Sequence, residues 1–488
     1  MIARMAPALT AGAGAALVLV WLATGAGQEL VLRVPGMDRP VGVHFASSRA
    51  ATTQRVTTGT STSRSTGLET FFAMSDGVPA DLPGAWPRFR GPNGDGISVE
   101  EVPFARTWPA EGPKALWSVQ CGEGYAGPAV LNGRVYLLDY DQEKRADVLR
   151  CLSLADGKEI WRRWYSVDVP KQHGSSRTVP AVTDKHVVTL GPMCHVMCVD
   201  AETGEYRWGI DLVRDYGTTV PPWYAGQCPL IDGERAILAP AGSKLMIAVN
   251  CASGKVEWET PNPNDWAMTH GSIAVMEFAG RRMYVYCASG GVVGVSAEDG
   301  AILWEFPGWT VSMANVPSPV PVGDGKIFLS GGYRAGSMMI ELKQEGGRMV
   351  GRQLYRLKQE VFGCEQQTPI FYEDHIYGVL TKDAGALKEQ LVCLDLTGKQ
   401  LWTSGRENRF GPYGGPYLIA QGVIFVMNDD GVLSLVEAAP EEYRQLARAK
   451  VLEGKESWAP MALVGGRLLV RDLTHLACLD LRAESYGR

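Results

Sequence analysis

The sequence predicts an all-β fold, an eight-bladed β-propeller with four-stranded antiparallel blades, in which an N-terminal strand completes the last blade and closes the ring. Three observations predict it. A Gly/Trp motif recurs at intervals of 44 to 51 residues, the length of four short strands with their turns. The last repeat is one strand short. An unassigned strand precedes the first complete repeat and can supply the missing one.

The recurring motif is a glycine that precedes a tryptophan by four residues. Five pairs have this spacing: Gly157 and Trp161, Gly204 and Trp208, Gly254 and Trp258, Gly300 and Trp304, and Gly398 and Trp402. The glycine suits the positive-φ position of a hairpin turn, and the next strand carries the tryptophan against the neighbouring repeat. Each such contact buries about 150–250 Å² of aromatic surface. These residues are therefore predicted to be structural.

Eight repeats result when two degenerate copies are counted. Trp117 begins the series, and Tyr355 and Leu452 stand where the spacing requires a tryptophan. The last repeat contains only three strands, so residues 116–119 are predicted to be its fourth. The propeller is thus expected to span residues 116–481, with a short tail at 482–488.

The composition is that of a large globular protein, with 45% hydrophobic residues, 57 glycines and 29 prolines. The formal net charge is −6, and no basic stretch alternates with aromatic residues. Phosphate binding would therefore have little electrostatic driving force, and nucleic acid is not an expected partner.

Residues 1–27 have the layout of a secretory signal: Arg4, an apolar run over residues 6–22, and small residues up to 27. An uncleaved membrane anchor is the alternative, because about 20 apolar residues reach across a bilayer. Both interpretations place the protein outside the cytoplasm, in the periplasm or associated with the cell envelope. No cysteine precedes Cys121, so lipid attachment at an N-terminal cysteine is not expected.

Two segments separate this region from the propeller. Residues 28–83 are rich in Ser, Thr and Arg and are predicted to be a disordered linker, since they contain few large apolar residues. Residues 84–115 form a lead segment. Met74 is an alternative start of translation, and a protein that started there would lack the export signal and stay in the cytoplasm.

The repeats resemble the PQQ-like, or quinoprotein-type, β-propeller family over roughly residues 84–481. The resemblance rests on the pattern Leu-Asp-Leu-Thr-Gly-Lys-Gln-Leu-Trp at 394–402 and its other copies. The stretch Trp-Pro-Arg-Phe-Arg-Gly-Pro-Asn-Gly-Asp-Gly at 86–96 is similar to the opening of many exported bacterial PQQ-like repeat proteins of unassigned function.

The resemblance implies two activities that can be tested against the residues. Quinoprotein dehydrogenases oxidise alcohols or sugars with pyrroloquinoline quinone (PQQ) and Ca²⁺ on the propeller axis, and they use a catalytic Asp. The outer-membrane protein assembly propeller has the same blade number and is normally a lipoprotein.

Ten cysteines are present, and four of them occupy equivalent repeat positions: Cys151, Cys198, Cys393 and Cys478. Equivalent positions lie far apart around a ring, whereas a disulfide requires Cα atoms about 4.4–6.8 Å apart. Most cysteines are therefore predicted to be buried core residues. Cys194 and Cys198 flank His195, but no second ligand pair follows, so zinc is not expected.

No catalytic residue is assigned. The sequence contains no Cys-Cys dipeptide, no Cys-x-x-Cys-His haem site, no Gly-x-Ser-x-Gly elbow, no P-loop and no His-Glu-x-x-His motif. PQQ with Ca²⁺ therefore remains an implication of the family resemblance that no residue supports, and we expect no cofactor.

The candidate site is the mouth of the central channel, formed by loops that precede the inner strands and by a Gly-rich turn at Gly331-Gly332. The predicted ligand-binding residues are Tyr125, Arg177, Trp223, His270, Asn315, Tyr333, Arg334, Glu365, Gln366, Tyr413 and Trp458. Their cationic, aromatic and amide groups suit an anionic or aromatic ligand or a peptide better than calcium. The alternative is that they only seal the channel.

The leading hypothesis is an exported, non-catalytic binding or assembly scaffold, whose partner is a protein, a peptide or a small molecule. A PQQ-dependent dehydrogenase with a divergent site is the first alternative. An outer-membrane assembly propeller is the second.

Overall fold

The computed structural model describes residues 53–56, 67–170 and 173–486, with 53–56 described by their backbone alone. The predicted signal or anchor at 1–27 and most of the predicted linker lie outside the described residues. Within the described ranges, no helix has the length and apolar character needed to cross a membrane.

The described strands form eight antiparallel sheets, which confirms the predicted eight-bladed propeller. Three strands precede the first complete blade: β1 (Thr53–Val56), β2 (Thr70–Met74) and β3 (Ala115–Gln120). Blade 1 contains β4 (Ala129–Leu131), β5 (Arg134–Asp141), β6 (Ala146–Ser153) and β7 (Glu159–Ser166). Blade 2 contains β8 (Ala181–Val182), β9 (His186–Leu190), β10 (His195–Asp200) and β11 (Tyr206–Asp211). Blade 3 contains β12 (Leu230–Asp232), β13 (Arg235–Leu238), β14 (Lys244–Asn250) and β15 (Val256–Pro261).

The next three blades are built in the same way. Blade 4 contains β16 (Ala274–Phe278), β17 (Arg281–Ala288), β18 (Gly291–Ser296) and β19 (Ile302–Phe306). Blade 5 contains β20 (Val320–Gly323), β21 (Lys326–Gly331), β22 (Gly336–Glu345) and β23 (Arg348–Leu357). Blade 6 contains β24 (Ile370–Tyr372), β25 (His375–Val379), β26 (Leu391–Asp395) and β27 (Gln400–Thr403).

The last two blades end the ring. Blade 7 contains β28 (Tyr417–Ala420), β29 (Val423–Met427), β30 (Val432–Glu437) and β31 (Gln445–Lys450). Blade 8 contains β32 (Ala462–Val464), β33 (Arg467–Arg471) and β34 (His475–Asp480), and its outer strand is β3. The helical elements in the described ranges are α1 (Leu212–Tyr216) and two 3₁₀ turns, Gly385–Leu387 and Ala483–Tyr486.

A β-bulge positions the recurring tryptophan in the outer hairpin. Trp161 lies opposite Cys151, and Ile160 before it is the extra residue of the bulge. In blade 7 the equivalent position is Ala447, after the same shift in register. The prediction that Leu452 holds this position was wrong, because counting residues along the chain does not locate the bulge, and Leu452 lies beyond the end of β31.

The tryptophans pack between neighbouring blades. The Trp161 ring lies against Gly204 in the outer turn of blade 2, and its indole N–H donates to the Glu202 carbonyl at 3.0 Å. Trp208 makes the same contact with blade 3 and donates to the Cys251 carbonyl at 2.7 Å. The repeated contact between turn and ring joins successive blades.

Two glycines separate the effect of this contact from the effect of backbone conformation. Gly204 has φ +68°, and a β-carbon there would lie 2.7 Å from the Trp161 ring. Gly280 has φ +71°, but a β-carbon there would meet nothing within 4 Å. We expect Gly280→Ala to lower the free energy of unfolding by about 1–2 kcal/mol and Gly204→Ala by about 1–3 kcal/mol more. Equal losses in urea unfolding would contradict the packing role of the turn.

The eighth blade combines strands from distant parts of the chain. β3 pairs antiparallel with β34, with Trp117 opposite Cys478. The Trp117 indole N–H donates to the Leu154 carbonyl of blade 1 at 3.0 Å, and the ring lies against Gly157. β3 therefore contacts both neighbours at the junction between the last blade and the first.

A buried arginine reinforces this junction. Arg471 on β33 is 1% exposed, and its guanidinium donates to three main-chain carbonyls in the segment 122–138. Asp139 lies 3.7 Å from the same guanidinium and 3.2 Å from that of Arg150. The buried charge is thus surrounded by oxygen atoms, as a charge in a protein interior must be.

The expectation of disorder up to residue 83 was wrong for residues 67–83, which we call the strap. β2 pairs with β7 as a fifth strand of blade 1, and β1 pairs beyond it. Arg163 of β7 is 2% exposed; its guanidinium donates to Thr70 Oγ1 at 2.8 Å and lies 4.9 Å from the centre of the Phe72 ring. The segment is polar on average, but its few large apolar residues are concentrated where they can pack.

The lead segment lies along the central opening. Trp86 pairs with Val130 of blade 1, and Ile97 pairs with Ile419 of blade 7. Between them, Arg90 donates to the carbonyls of residues 368 and 369 at 2.7 and 2.9 Å. A cavity of about 420 Å³ separates this segment from the inner strands of blades 3 to 6. The segment therefore occupies one side of the channel.

All ten cysteines lie in the described ranges, where they are buried and form no disulfide. Cys198, for example, directs its thiol to the Cys251 carbonyl at 3.5 Å in the interface between blades 2 and 3. They are core residues, as the repeat positions predict.

Candidate ligand-binding site

Antiparallel strands alternate in direction. One end of the ring therefore carries both the loops that precede the inner strands and the turns that connect the second strand of each blade to the third. We call this end the upper face. Beneath it, the Cys228 N–H donates to Ser272 Oγ at 2.9 Å and the Ser272 N–H to Ser318 Oγ at 3.0 Å. The Ser318 N–H continues the series to Thr368 Oγ1 at 2.9 Å. These bonds hold the loops of blades 3 to 6 in register.

Five side chains of the upper face form a continuous row, which we call the ladder. The Arg177 guanidinium lies 4.9 Å from the centre of the Tyr125 ring, and Tyr125 stacks on Trp458 with 5.0 Å between ring centres. Trp458 meets Tyr413 edge-on at 4.9 Å, and Lys382 Nζ lies 4.5 Å from the Tyr413 ring. The ladder brings four predicted residues together and follows the ring from blade 2 to blade 6, with a cation at each end.

Tyr333 connects the ladder to the opposite side of the ring. It comes from the middle turn of blade 5, yet its hydroxyl feels the charges of Glu365, Tyr413 and Arg177. Burial, followed by the charge of Glu365, raises the pKa of Tyr333 to about 12. Because Arg177 belongs to blade 2, Tyr333 is influenced by a charge from the opposite side of the ring.

Carboxyl groups border the ladder. The Tyr125 hydroxyl donates to Glu456 Oε2 at 2.5 Å. Glu365 is 2% exposed, and burial raises its pKa although Lys382 opposes the shift. Asp429 lies close to Trp458, and burial raises the pKa of Asp429 to about 7. The upper face therefore contains two acids that burial favours in the neutral form.

Several upper-face residues adopt a strained backbone conformation. Trp223, Tyr224, Tyr333, Arg334 and Glu456 have φ of 60°, 75°, 52°, 68° and 58°. Residues other than glycine rarely adopt positive φ, and such strain is concentrated at functional sites. The same conformation occurs in ordinary hairpin turns at the other end of the ring, for example at Asn132 and Gln421, so it accompanies tight turns in this fold generally.

The other predicted residues line the mouth outside the ladder. His270 Nε2 lies 2.8 Å from the Pro222 carbonyl, and burial lowers the pKa of His270 to about 4. The Asn315 carbonyl accepts a hydrogen bond from the His270 N–H at 3.1 Å, and its amide side chain is buried. His270 is thus a neutral residue that holds two loops together.

Three predicted residues contribute less to the cluster. Gln366 is half-buried beside the Glu365 carboxyl. Trp223 is half-buried and Arg334 is exposed, and within the described ranges neither makes a ring, ion-pair or hydrogen-bond contact with the ladder. They lie at the rim of the site.

Sequence reasoning missed Lys382, Asp429 and Glu456. Lys382 and Asp429 are in the turns between the second and third strands of blades 6 and 7, and Glu456 is two residues before Trp458. The Gly-rich turn of blade 5 indicated Tyr333 and Arg334. The equivalent turns of blades 6 and 7, between their second and third strands, carry Lys382 and Asp429.

The raised pKa of Asp429 predicts a pH-dependent stability. A carboxyl whose pKa is about 7 in the folded protein, against about 3.9 when unfolded, destabilises the fold progressively as the pH rises through this window. Asp429→Asn is therefore expected to be about 1–2 kcal/mol more stable than the wild type at pH 8. At pH 4 the variant and the wild type should be about equally stable.

Urea unfolding at pH 4, 6 and 8 measures this difference. Asp81→Asn, at an exposed position of the strap, is the matched control and should leave the pH profile of the wild type unchanged. A difference for Asp429→Asn that stays constant across the three pH values would contradict the raised pKa.

The described residues show no assembled calcium site. Calcium requires several carboxylate or carbonyl oxygens at one point. Within the described ranges, no group of three or more His, Cys, Asp or Glu side chains is placed to hold a metal ion. The titratable side chains of the upper face include instead a cation, phenols and a carboxyl whose pKa burial raises.

Comparisons with known proteins agree with the repeat pattern. The family model described as outer membrane protein assembly factor BamB matches residues 144–396. The structure of BamB from Moraxella catarrhalis is 14% identical with a TM-score of 0.52, and the match covers 75% of this chain and 99% of that chain. No curated protein matches the chain in sequence.

Two dehydrogenase structures are also similar. A europium-containing methanol dehydrogenase is 12% identical with a TM-score of 0.55, over 80% of this chain and 89% of that chain. A quinohemoprotein alcohol dehydrogenase from Pseudomonas putida is 12% identical with a TM-score of 0.54, over 82% of this chain and 80% of that chain. Likeness at such low identity shows the fold alone. Because the family model covers more than half of the 488 residues, the chain belongs to the PQQ-like propeller family described as outer membrane protein assembly factor BamB.

Proposed function

We propose that this protein is exported and works as a non-catalytic binding or assembly scaffold, with the upper face of the propeller as its binding surface. The observation that carries the proposal is the ladder. Aromatic faces flanked by cations bind ligands through stacking and charge and need no reacting group. The half-buried rings of Trp458 and Tyr413 support the same assignment.

Export is part of the proposal. The N-terminal 27 residues have the layout of a secretory signal, and the strap between them and the propeller packs on blade 1. Mass spectrometry of the native N-terminus tests this. A mature N-terminus between residues 20 and 67 is expected, whereas a protein beginning at Met74 would contradict export.

Two alternatives follow from the comparisons. The dehydrogenase structures favour a quinoprotein oxidoreductase with a divergent site, and the family description favours a role in outer-membrane protein assembly. The second is a specific form of the scaffold proposal, with protein partners in the cell envelope. Co-purification with outer-membrane assembly components would favour it.

One experiment separates scaffold from dehydrogenase. Purified protein is mixed with PQQ and Ca²⁺, passed through a desalting column, and assayed for dye-linked oxidation of alcohols and sugars, with a known quinoprotein dehydrogenase as control. The scaffold proposal expects no retained quinone spectrum and no turnover. Stoichiometric quinone with turnover would overturn it.

A second experiment tests the binding surface directly. Envelope proteins captured by the wild type are expected to be lost with Trp458→Ala and retained with Trp164→Ala, which alters a half-buried tryptophan on the outer edge of blade 1. Identical capture by the wild type and Trp458→Ala would contradict the assignment of the upper face.

A further inference from the structure

Arg177 lacks the anionic partner that a half-buried guanidinium normally has. Within the described ranges it makes no hydrogen bond or ion pair, and its Nε atom is fully buried without a partner. Its contact is the Tyr125 ring below it. Burial lowers the pKa of Arg177, yet arginine stays charged at physiological pH.

The neighbouring acids do not fill this role. Glu456 Oε2 accepts the Tyr125 hydroxyl hydrogen at 2.5 Å, and Glu456 forms no ion pair with Arg177. Glu365 lies beside Tyr333 on the other side of the axis, where burial raises its pKa. Desolvated charges in proteins are usually paired. Arg177 is therefore a cation with no ion-pair partner within the described ranges.

Aromatic surface lies next to this position. Tyr125 carries the guanidinium on one side and stacks on Trp458, and Trp458 and Tyr413 are half-buried. A ligand anion at Arg177 would thus be followed along the ladder by ring surface. The guanidinium offers a planar fork of donors, which matches the two oxygens of a carboxylate.

Resting on the proposed function of the upper face, we propose that the ladder binds a carboxylate carried next to an aromatic group, with the carboxylate on Arg177 and the ring on Trp458 and Tyr413. A side chain or terminus of a polypeptide and a free aromatic acid both have this chemistry. The experiment distinguishes these two sources.

The probes are matched pairs that differ only in charge. N-acetyl-L-phenylalanine is compared with N-acetyl-L-phenylalaninamide, and the peptide acetyl-Gly-Phe-Glu-Gly-amide with its Gln counterpart, by calorimetry or ligand-observed NMR. The acid of a pair is expected to bind at least tenfold more tightly than its neutral partner, because hydrogen bonds to charged groups are the stronger ones. The probe pair with the larger ratio of acid affinity to neutral affinity shows whether the natural ligand is a polypeptide or a free aromatic acid.

Variants of Arg177 test whether this residue causes the preference for the acid. Arg177→Gln is expected to abolish the preference for the acid, and Arg177→Lys to retain part of it, because lysine keeps the charge but loses the fork. Arg406→Gln, at an exposed arginine outside the ladder, is the control and should behave as the wild type. Thermal melting checks that each variant is folded.

The outcomes separate this inference from the proposed function. If acid and amide bind equally and Trp458→Ala weakens both, the upper face is a ligand site but the carboxylate assignment is wrong. Absence of binding by every probe at 10 mM would also overturn the carboxylate assignment. Quinone binding with turnover, in contrast, would overturn the scaffold function itself.

Discussion

Replacing Trp117 with alanine is expected to lower the free energy of unfolding by about 3–5 kcal/mol. Trp117 is buried in β3, the strand that pairs with β34 in the last blade, and its ring packs on the turn of blade 1. The substitution would leave a cavity at the junction and would remove the N–H donor of the Leu154 carbonyl. β3 contacts both the last blade and the first, so damage here also loosens both neighbouring blades.

Guanidinium unfolding followed by near-UV circular dichroism measures the loss, and limited proteolysis of the segment before β3 reports opening of the ring. Trp164→Ala is the matched control, because Trp164 is on β7 but is half-buried, stacking on Phe71 at 5.8 Å with Lys144 Nζ 5.6 Å from its ring. Its expected loss is about 1–2 kcal/mol. A loss for Trp117→Ala no larger than that of Trp164→Ala would contradict the role of β3 in closure.

A protein that starts at Met74 is expected to be less stable, by about 3 kcal/mol or more, than one that starts at Gly67 behind an initiator methionine. The shorter form loses Thr70, Phe71 and Phe72 of β2. Arg163 would then lose the hydroxyl that accepts its Nη1–H and the ring beside it, and keep only the Gly204 carbonyl at 2.6 Å. A buried charge that loses its partners is strongly destabilising.

The substitution Arg163→Met, made in the form that starts at Gly67 and in the form that starts at Met74, isolates the contribution of the contacts between Arg163 and the strap. The substitution should destabilise the longer form and have a smaller or opposite effect on the shorter form, where the guanidinium is already poorly satisfied. Equal stability of the two forms would mean that the strap is dispensable and that translation from Met74 can produce the complete fold.

The sequence predicted which residues lie at the mouth of the channel, but it did not predict which of them contact one another. The rule that residues just before an inner strand face the mouth selected Tyr125, Arg177, Tyr413 and Trp458, which the structure brings into one row. Nothing in the order of residues indicates that Arg177 stacks on Tyr125. These contacts depend on how loops of different blades bend toward the axis, and residues far apart in sequence determine that.

The strap shows the limit of reasoning from composition. Residues 28–83 are polar on average, and average polarity predicted disorder throughout. Phe71 and Phe72 are too few to build a core of their own, but β7 offers them an open strand edge and the rings of Trp161 and Trp164. Order in this segment comes from a surface that is formed elsewhere in the chain.

The sequence alone determined the fold class, the number of blades and the position of most strands, because each blade repeats the same local chemistry of a glycine turn followed by a tryptophan strand. Local chemistry of this kind can be recognised without knowing any long-range contact. Only the tertiary structure decided which residue holds the tryptophan position in blade 7, where the strap packs, and which side chains meet at the upper face. Those outcomes depend on registers, bulges and loop packing between residues far apart in the chain, and no local pattern encodes them.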